Sequence, residues 1–196
     1  MKRFSLLMVA IFSFVLISCD KSPNNPDDDG YVIYRLENGS SWEYLTQYEG
    51  ASLVETHSNK VIKDTVINNE KWTVLAYDDS VFWYVKNKAD GLYFNTKNKT
   101  TGTWSSALYY KYKANVGETY TNTDNVKIDV VSINDTITVP DGIFVCYKYR
   151  VKYSESLSTL EYYSPNIGLI KLIAFKGDGT VEYTTTLKEH TFLTTE

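Results

Sequence analysis

The sequence predicts an all-β domain: a single antiparallel, strongly curved sheet, or a barrel-like or sandwich arrangement, of roughly ten short strands. Three observations carry this. Apolar and polar residues alternate with a period of two. Turn residues recur at short intervals. The residues that fill the periodic runs are Tyr, Thr, Val and Ile, which suit a pleated surface.

The runs can be taken in order. Trp42, Tyr44, Thr46 and Tyr48 share a face, as do Leu108, Tyr110 and Tyr112. In 126–133 the alternation runs Val126, Ile128, Val130 and then slips to Val131 and Ile133, which predicts a β-bulge. Over 143–153, Ile143, Val145, Tyr147, Tyr149, Val151 and Tyr153 fall on one face, and Lys148, Arg150 and Lys152 on the other; the first set is expected inward. Val181, Tyr183, Thr185 and Leu187 alternate with Glu182, Thr184, Thr186 and Lys188. No run after residue 30 has apolar residues at helical spacing.

Turn signals separate the runs: Asn68-Asn69, Asp78-Asp79-Ser80, Lys88-Ala89-Asp90-Gly91, Asn134-Asp135, Pro140-Asp141-Gly142 and Lys176-Gly177-Asp178-Gly179. There is also an internal echo. Leu36-Glu37-Asn38-Gly39-Ser40-Ser41-Trp42 resembles Ala114-Asn115-Val116-Gly117-Glu118-Thr119-Tyr120. Each reads as a turn glycine, two polar residues and an aromatic that begins a strand. The sheet has two related beginnings.

The N-terminus is of another kind. Lys2 and Arg3 precede an apolar run over 4–17, too short to span a hydrocarbon core of roughly 30 Å. The run ends in Leu16-Ile17-Ser18-Cys19, which resembles the bacterial lipobox. That resemblance implies a signal peptide over 1–18, cleavage between Ser18 and Cys19, and acylation of Cys19, which becomes the first residue of the mature chain. The expected location is then the cell envelope, anchored by lipid to the outer membrane. Residues 20–30 hold no apolar side chain, two prolines and three consecutive aspartates, so 19–30 is expected to be the lipidated cysteine and a disordered tether. The acidic run also resembles the surface-export signals of Bacteroidetes lipoproteins; a solvated spacer is the plain alternative. The β-domain is expected to cover 31–196.

Composition narrows the chemistry. Net charge is −4, and two units more negative once Lys2 and Arg3 leave, which argues against a nucleic-acid partner. Besides Cys19 there is only Cys146, read as a buried small hydrophobe. The two histidines, His57 and His190, have no second histidine or cysteine at metal-ligand spacing and are read as solvated strand residues. No nucleophile elbow, phosphate loop or dinucleotide fingerprint occurs. No catalytic residue, metal or cofactor is therefore expected.

Three motifs resemble those of uncharacterised bacterial exported lipoprotein domains. Gly39-Ser40-Ser41-Trp42-Glu43-Tyr44 fits G-x-x-W-x-Y, residues 138–146 fit a V-P-x-G-x-F stretch, and Tyr163 to Lys171 fits Y-x-x-x-x-G-L-x-K. The match departs at Asp141, at the shorter Phe144–Cys146 spacing and at Asn166-Ile167. The family carries no established catalytic residue, so the resemblance implies fold and address only. Trp42 and Phe144 are natural core anchors.

The one enrichment is aromatic: 17 Tyr, 8 Phe and 4 Trp. Either these fill a tyrosine-rich core, or some form an exposed platform for sugar rings or a protein partner. Trp83, Tyr84, Trp104 and Tyr109 are the candidates for such a surface, because consecutive aromatics in a strand cannot all face one core. The reading is a lipid-anchored, non-catalytic binding or scaffolding domain whose protein or glycan partner is open. A carrier of an apolar ligand or acyl chain, and a carbohydrate-binding surface protein, are the alternatives. A concave apolar cavity would favour the carrier, an exposed aromatic stripe sugar or protein binding, and two converging carboxylates a hydrolase.

Overall fold

A computed structural model describes residues 32–193; the leader, Cys19 and the tether lie outside the described residues. Within them the chain is all-β. Twelve strands form one antiparallel sheet: β1 (Ser41–Tyr48), β2 (Val54–Ile67), β3 (Glu70–Tyr77), β4 (Val81–Lys88), β5 (Gly91–Lys97), β6 (Trp104–Lys111), β7 (Thr119–Thr121), β8 (Lys127–Val139), β9 (Gly142–Ser154), β10 (Leu157–Ser164), β11 (Gly168–Lys176) and β12 (Val181–Thr191). The strand order is β6-β5-β4-β3-β2-β1-β12-β11-β10-β9-β8-β7. Two six-stranded meanders are therefore joined where β1 pairs β12, leaving β6 and β7 as the edges.

The two meanders begin alike. Gly39 and Gly117 both have φ of 85°. Ser40 N donates to Glu37 O, and Glu118 N donates to Asn115 O. Each glycine N–H then reaches the second strand of its meander, at Val61 O and Val130 O. The echo in the sequence is thus one turn built twice.

The sheet curls until distant strands touch. Seven strands separate β6 from β10, yet the Tyr110 ring of β6 lies 4.1 Å from Tyr163 of β10 and 5.3 Å from Tyr149 of β9. Curling hides the inward face without a second layer. The edges do not pair backbone to backbone. Instead the Tyr120 hydroxyl on β7 donates to Tyr109 O (2.8 Å) and accepts from Lys111 N (3.0 Å), taking the place of a ladder partner for β6. Tyr149 Oη donates to Lys111 O at 2.7 Å. Lys111 and Glu118 form an ion pair across the same seam.

Most turns fall where the turn residues stand. Asn68 and Asn69 take positive φ in the two-residue β2–β3 loop, and Asp78 and Asp79 do so in the three-residue β3–β4 loop. Asn134-Asp135 is a correction: it lies inside β8, at the register shift between Ser132 and Asp135. An irregularity in the ladder uses the same turn-tolerant residues as a true turn. The predicted slip at Val131 is a bulge, since Val130 pairs Tyr149 and Ser132 pairs Lys148.

A second correction concerns β9. Tyr147, Tyr149 and Val151 are buried, but Ile143 is 69% exposed, whereas Phe144 and Cys146 are buried. The covered residues change parity between Cys146 and Tyr147, opposite the irregular stretch of β8. Burial pushes the Cys146 thiol up to about 12, so it stays an unreactive thiol in the core.

Candidate functional site

The curl encloses a cavity of about 550 Å³. Its position follows from the topology. Segment 32–36 runs under the other end and plugs it. Val32 exchanges hydrogen bonds with Asn166, and Asn87 holds the backbone of Tyr34 through both its Oδ1 and Nδ2. The Tyr34 ring packs edge-on against Trp42 at 4.6 Å, and its hydroxyl is 3.2 Å from that of Tyr44. Trp42 is pinned in turn by its Nε1 donating to Ile167 O. The mouth opens at the opposite end, where β1–β2, β3–β4, β9–β10 and β11–β12 turn. Tyr48, His57, Tyr77, Trp83, Tyr153 and Tyr183 stand there.

The walls differ in polarity. On β3 to β5 the lining is Leu75, Val85, Leu92 and Phe94. On β9 and β10 it is Tyr153, Tyr163 and Glu161. Glu161 is the single carboxylate among the lining residues, and it is 2% exposed. Its Oε2 accepts from Tyr110 Oη at 2.5 Å; its Oε1 accepts from Thr159 Oγ1 at 2.5 Å and from Tyr153 Oη at 3.2 Å. Burial raises the Glu161 carboxyl above the ordinary glutamate range, while the hydroxyls of Thr159, Tyr110, Tyr153 and Tyr163 oppose that rise. The same burial, with the Glu161 charge added, pushes Tyr110 and Tyr163 well above the ordinary phenol range.

The four aromatic candidates divide between the faces. Trp83 and Tyr109 line the cavity, where both rings meet Phe94, at 6.4 and 5.0 Å. Tyr109 is turned inward by a bulge, because Leu92 pairs Tyr110 while Tyr93 pairs Leu108. Two consecutive tyrosines of β6 thereby reach the interior. Tyr84 and Trp104 form a pair 4.8 Å apart, edge to face, away from the cavity lining. Lys97 stands over the Trp104 ring. The four residues therefore do not make one surface.

Neither histidine is merely solvated. His57 Nδ1 lies 3.0 Å from Asp78 Oδ2, and its ring stacks on Tyr77 at the mouth. His190 is paired with Asp141 and sits between Phe144 and Phe192. Among the described residues no group of three or more His, Cys, Asp or Glu could hold a metal ion. Sequence reading missed Glu161. The available signal was the alternation Thr159, Glu161, Tyr163, which puts a carboxylate on the same face as two residues of core type.

Comparison with solved structures shows the fold. A candidate lipoprotein from Parabacteroides distasonis superposes with a TM-score of 0.55 at 15% identity, over 84% of this chain and all of that one. A candidate exported protein from Bacteroides fragilis, described as having a YmcC-like fold, gives 0.54 at 14% identity, over 83% of this chain and all of the other. The curled sheet is similar to that YmcC-like fold. No family model and no curated protein matches the sequence. At such identities the likeness extends to the curled YmcC-like sheet and not to the residues within it.

Proposed function

We propose that the protein is a lipid-anchored lipoprotein of the cell envelope whose curled sheet is a non-catalytic carrier for an apolar or amphipathic small molecule. The cavity carries this reading. Its volume lies within the range of about 300–1,000 Å³ typical of ligand pockets, and its lining is mainly aromatic and aliphatic. It is open at one end and plugged at the other, which suits uptake and release. A single carboxylate in the lining offers no acid/base pair for hydrolysis. The address rests on residues 1–19, and the descriptions of the two solved structures as exported or lipid-linked agree with it. Outer-membrane anchoring belongs to the same proposal.

The carrier reading is tested by titrating N-phenyl-1-naphthylamine, whose emission rises in apolar surroundings. One site per chain is expected. Leu172→Trp, which puts a bulky ring into the cavity, should weaken binding about tenfold or more, and Trp104→Ala on the outer pair should not. Binding unchanged by Leu172→Trp, or lost with Trp104, would overturn the reading and favour an outward glycan- or protein-binding surface. For the anchor, Cys19→Ala should remove alkyne-fatty-acid label and membrane retention; unchanged label would refute it.

A further inference from the structure

Glu161 is unusual for its place. It lies in the wall of an apolar cavity, all but buried, and every partner it has is a hydroxyl. No cation is among the groups that hydrogen-bond to it or lead the shift of its carboxyl. A carboxylate in such surroundings is costly unless a positive charge compensates it. Around it stand the rings of Tyr110, Tyr153 and Tyr163, and further along the lining that of Trp83. Aromatic faces attract cations, most strongly where water is excluded. Tyr153 is 41% exposed at the mouth, yet its hydroxyl touches Glu161. The carboxyl therefore sits about one tyrosine side chain below the surface, within reach of a ligand's head group. The opposite wall, Leu75, Val85 and Leu92, holds no charge.

We propose that the cavity selects amphipathic ligands bearing one cationic nitrogen, an ammonium or quaternary ammonium, with Glu161 as counter-ion, the tyrosine rings as its bed and the hydrocarbon body against β3–β5. This rests on the carrier reading and narrows it from apolar ligands in general to cationic ones.

The test uses the folded protein and one hydrocarbon with four heads: 4-phenylbutylamine, its trimethylammonium analogue, 4-phenylbutanol and 4-phenylbutyrate, each titrated by calorimetry. The two cations should bind about tenfold or more tighter than the alcohol, a difference of about 1.4 kcal/mol, and the carboxylate should bind weakest. Glu161→Gln should erase the preference by weakening the two cations about tenfold, with its circular dichroism spectrum and cooperative melt reporting that the variant is folded. If that variant does not fold, the wild-type series decides alone. Equal binding of alcohol and cations would overturn this proposal and leave the carrier reading standing. A cation preference that persists in a folded Glu161→Gln would overturn the role of Glu161. Failure of all four compounds to bind a protein that still binds N-phenyl-1-naphthylamine would overturn this proposal alone, and failure of the dye as well would overturn both.

Discussion

Tyr120→Phe deletes one oxygen atom at the seam between β6 and β7. In the wild type that oxygen satisfies two backbone groups of an edge strand, donating to Tyr109 O and accepting from Lys111 N. Phenylalanine keeps the ring and its packing but leaves both groups unpaired. An unpaired buried polar group costs about 1–3 kcal/mol. The site is partly buried, so water recovers some of the loss, and a total of about 2 kcal/mol is expected. For a domain of this size that lowers the melting midpoint by about 4–8 °C. The assay is chemical denaturation together with amide hydrogen exchange. The Lys111 N–H should exchange faster in the variant, whereas amides in the β1–β12 pairing, which close the sheet on its far side, should change only by the global loss. A variant as stable as wild type, with Lys111 exchange unchanged, would refute the view that a tyrosine hydroxyl closes the seam.

Two further predictions follow from the core. Gly168 has φ of 113°, and a Cβ there would lie 2.7 Å from the Tyr34 ring; Gly168→Ala should cost about 2–4 kcal/mol in urea denaturation, and a neutral result would show that Tyr34 moves aside freely. Because burial holds the Glu161 carboxyl above its unfolded value, its protonated form favours the folded state at low pH; that contribution is lost as pH rises from the ordinary glutamate range through the raised folded value. The stability of wild type minus that of Glu161→Gln should therefore fall with rising pH and then level, and a difference that stays flat from about pH 4 to about pH 8 would contradict it.

Much of the sheet is legible locally. Side chains alternate along a strand whatever its neighbours, so Trp42, Tyr44, Thr46 and Tyr48, and Tyr183, Thr185 and Leu187, could be assigned to one face from the sequence and all lie on the inner face. The slip at Val131 was likewise visible as a break in parity. Where the reading failed, the cause was a contact distant in sequence. Ile143 looks inward by alternation, but covering Phe144 and Cys146 depends on how the β8–β9 hairpin reaches the end of β12, where His190 meets Asp141 and Phe144. Trp83 and Tyr84 are neighbours and must part to opposite faces, but nothing local says which one meets the cavity. Tyr109 reaches it only through a bulge on an edge strand. Glu161 is the clearest case. Its role in the wall exists only because the curl brings Tyr110 across seven intervening strands.

The central claim is that a small molecule enters the curl. A footprint of bound N-phenyl-1-naphthylamine by NMR, with backbone amides assigned, tests it most directly. The account predicts saturable shifts at Leu75, Val85, Phe94, Glu161 and Leu172, on strands from both halves of the sheet, and none at Tyr84 or Trp104 beyond those passed along the backbone. Shifts confined to Tyr84, Trp104 and their outer-face neighbours, with the cavity residues unmoved, would contradict it.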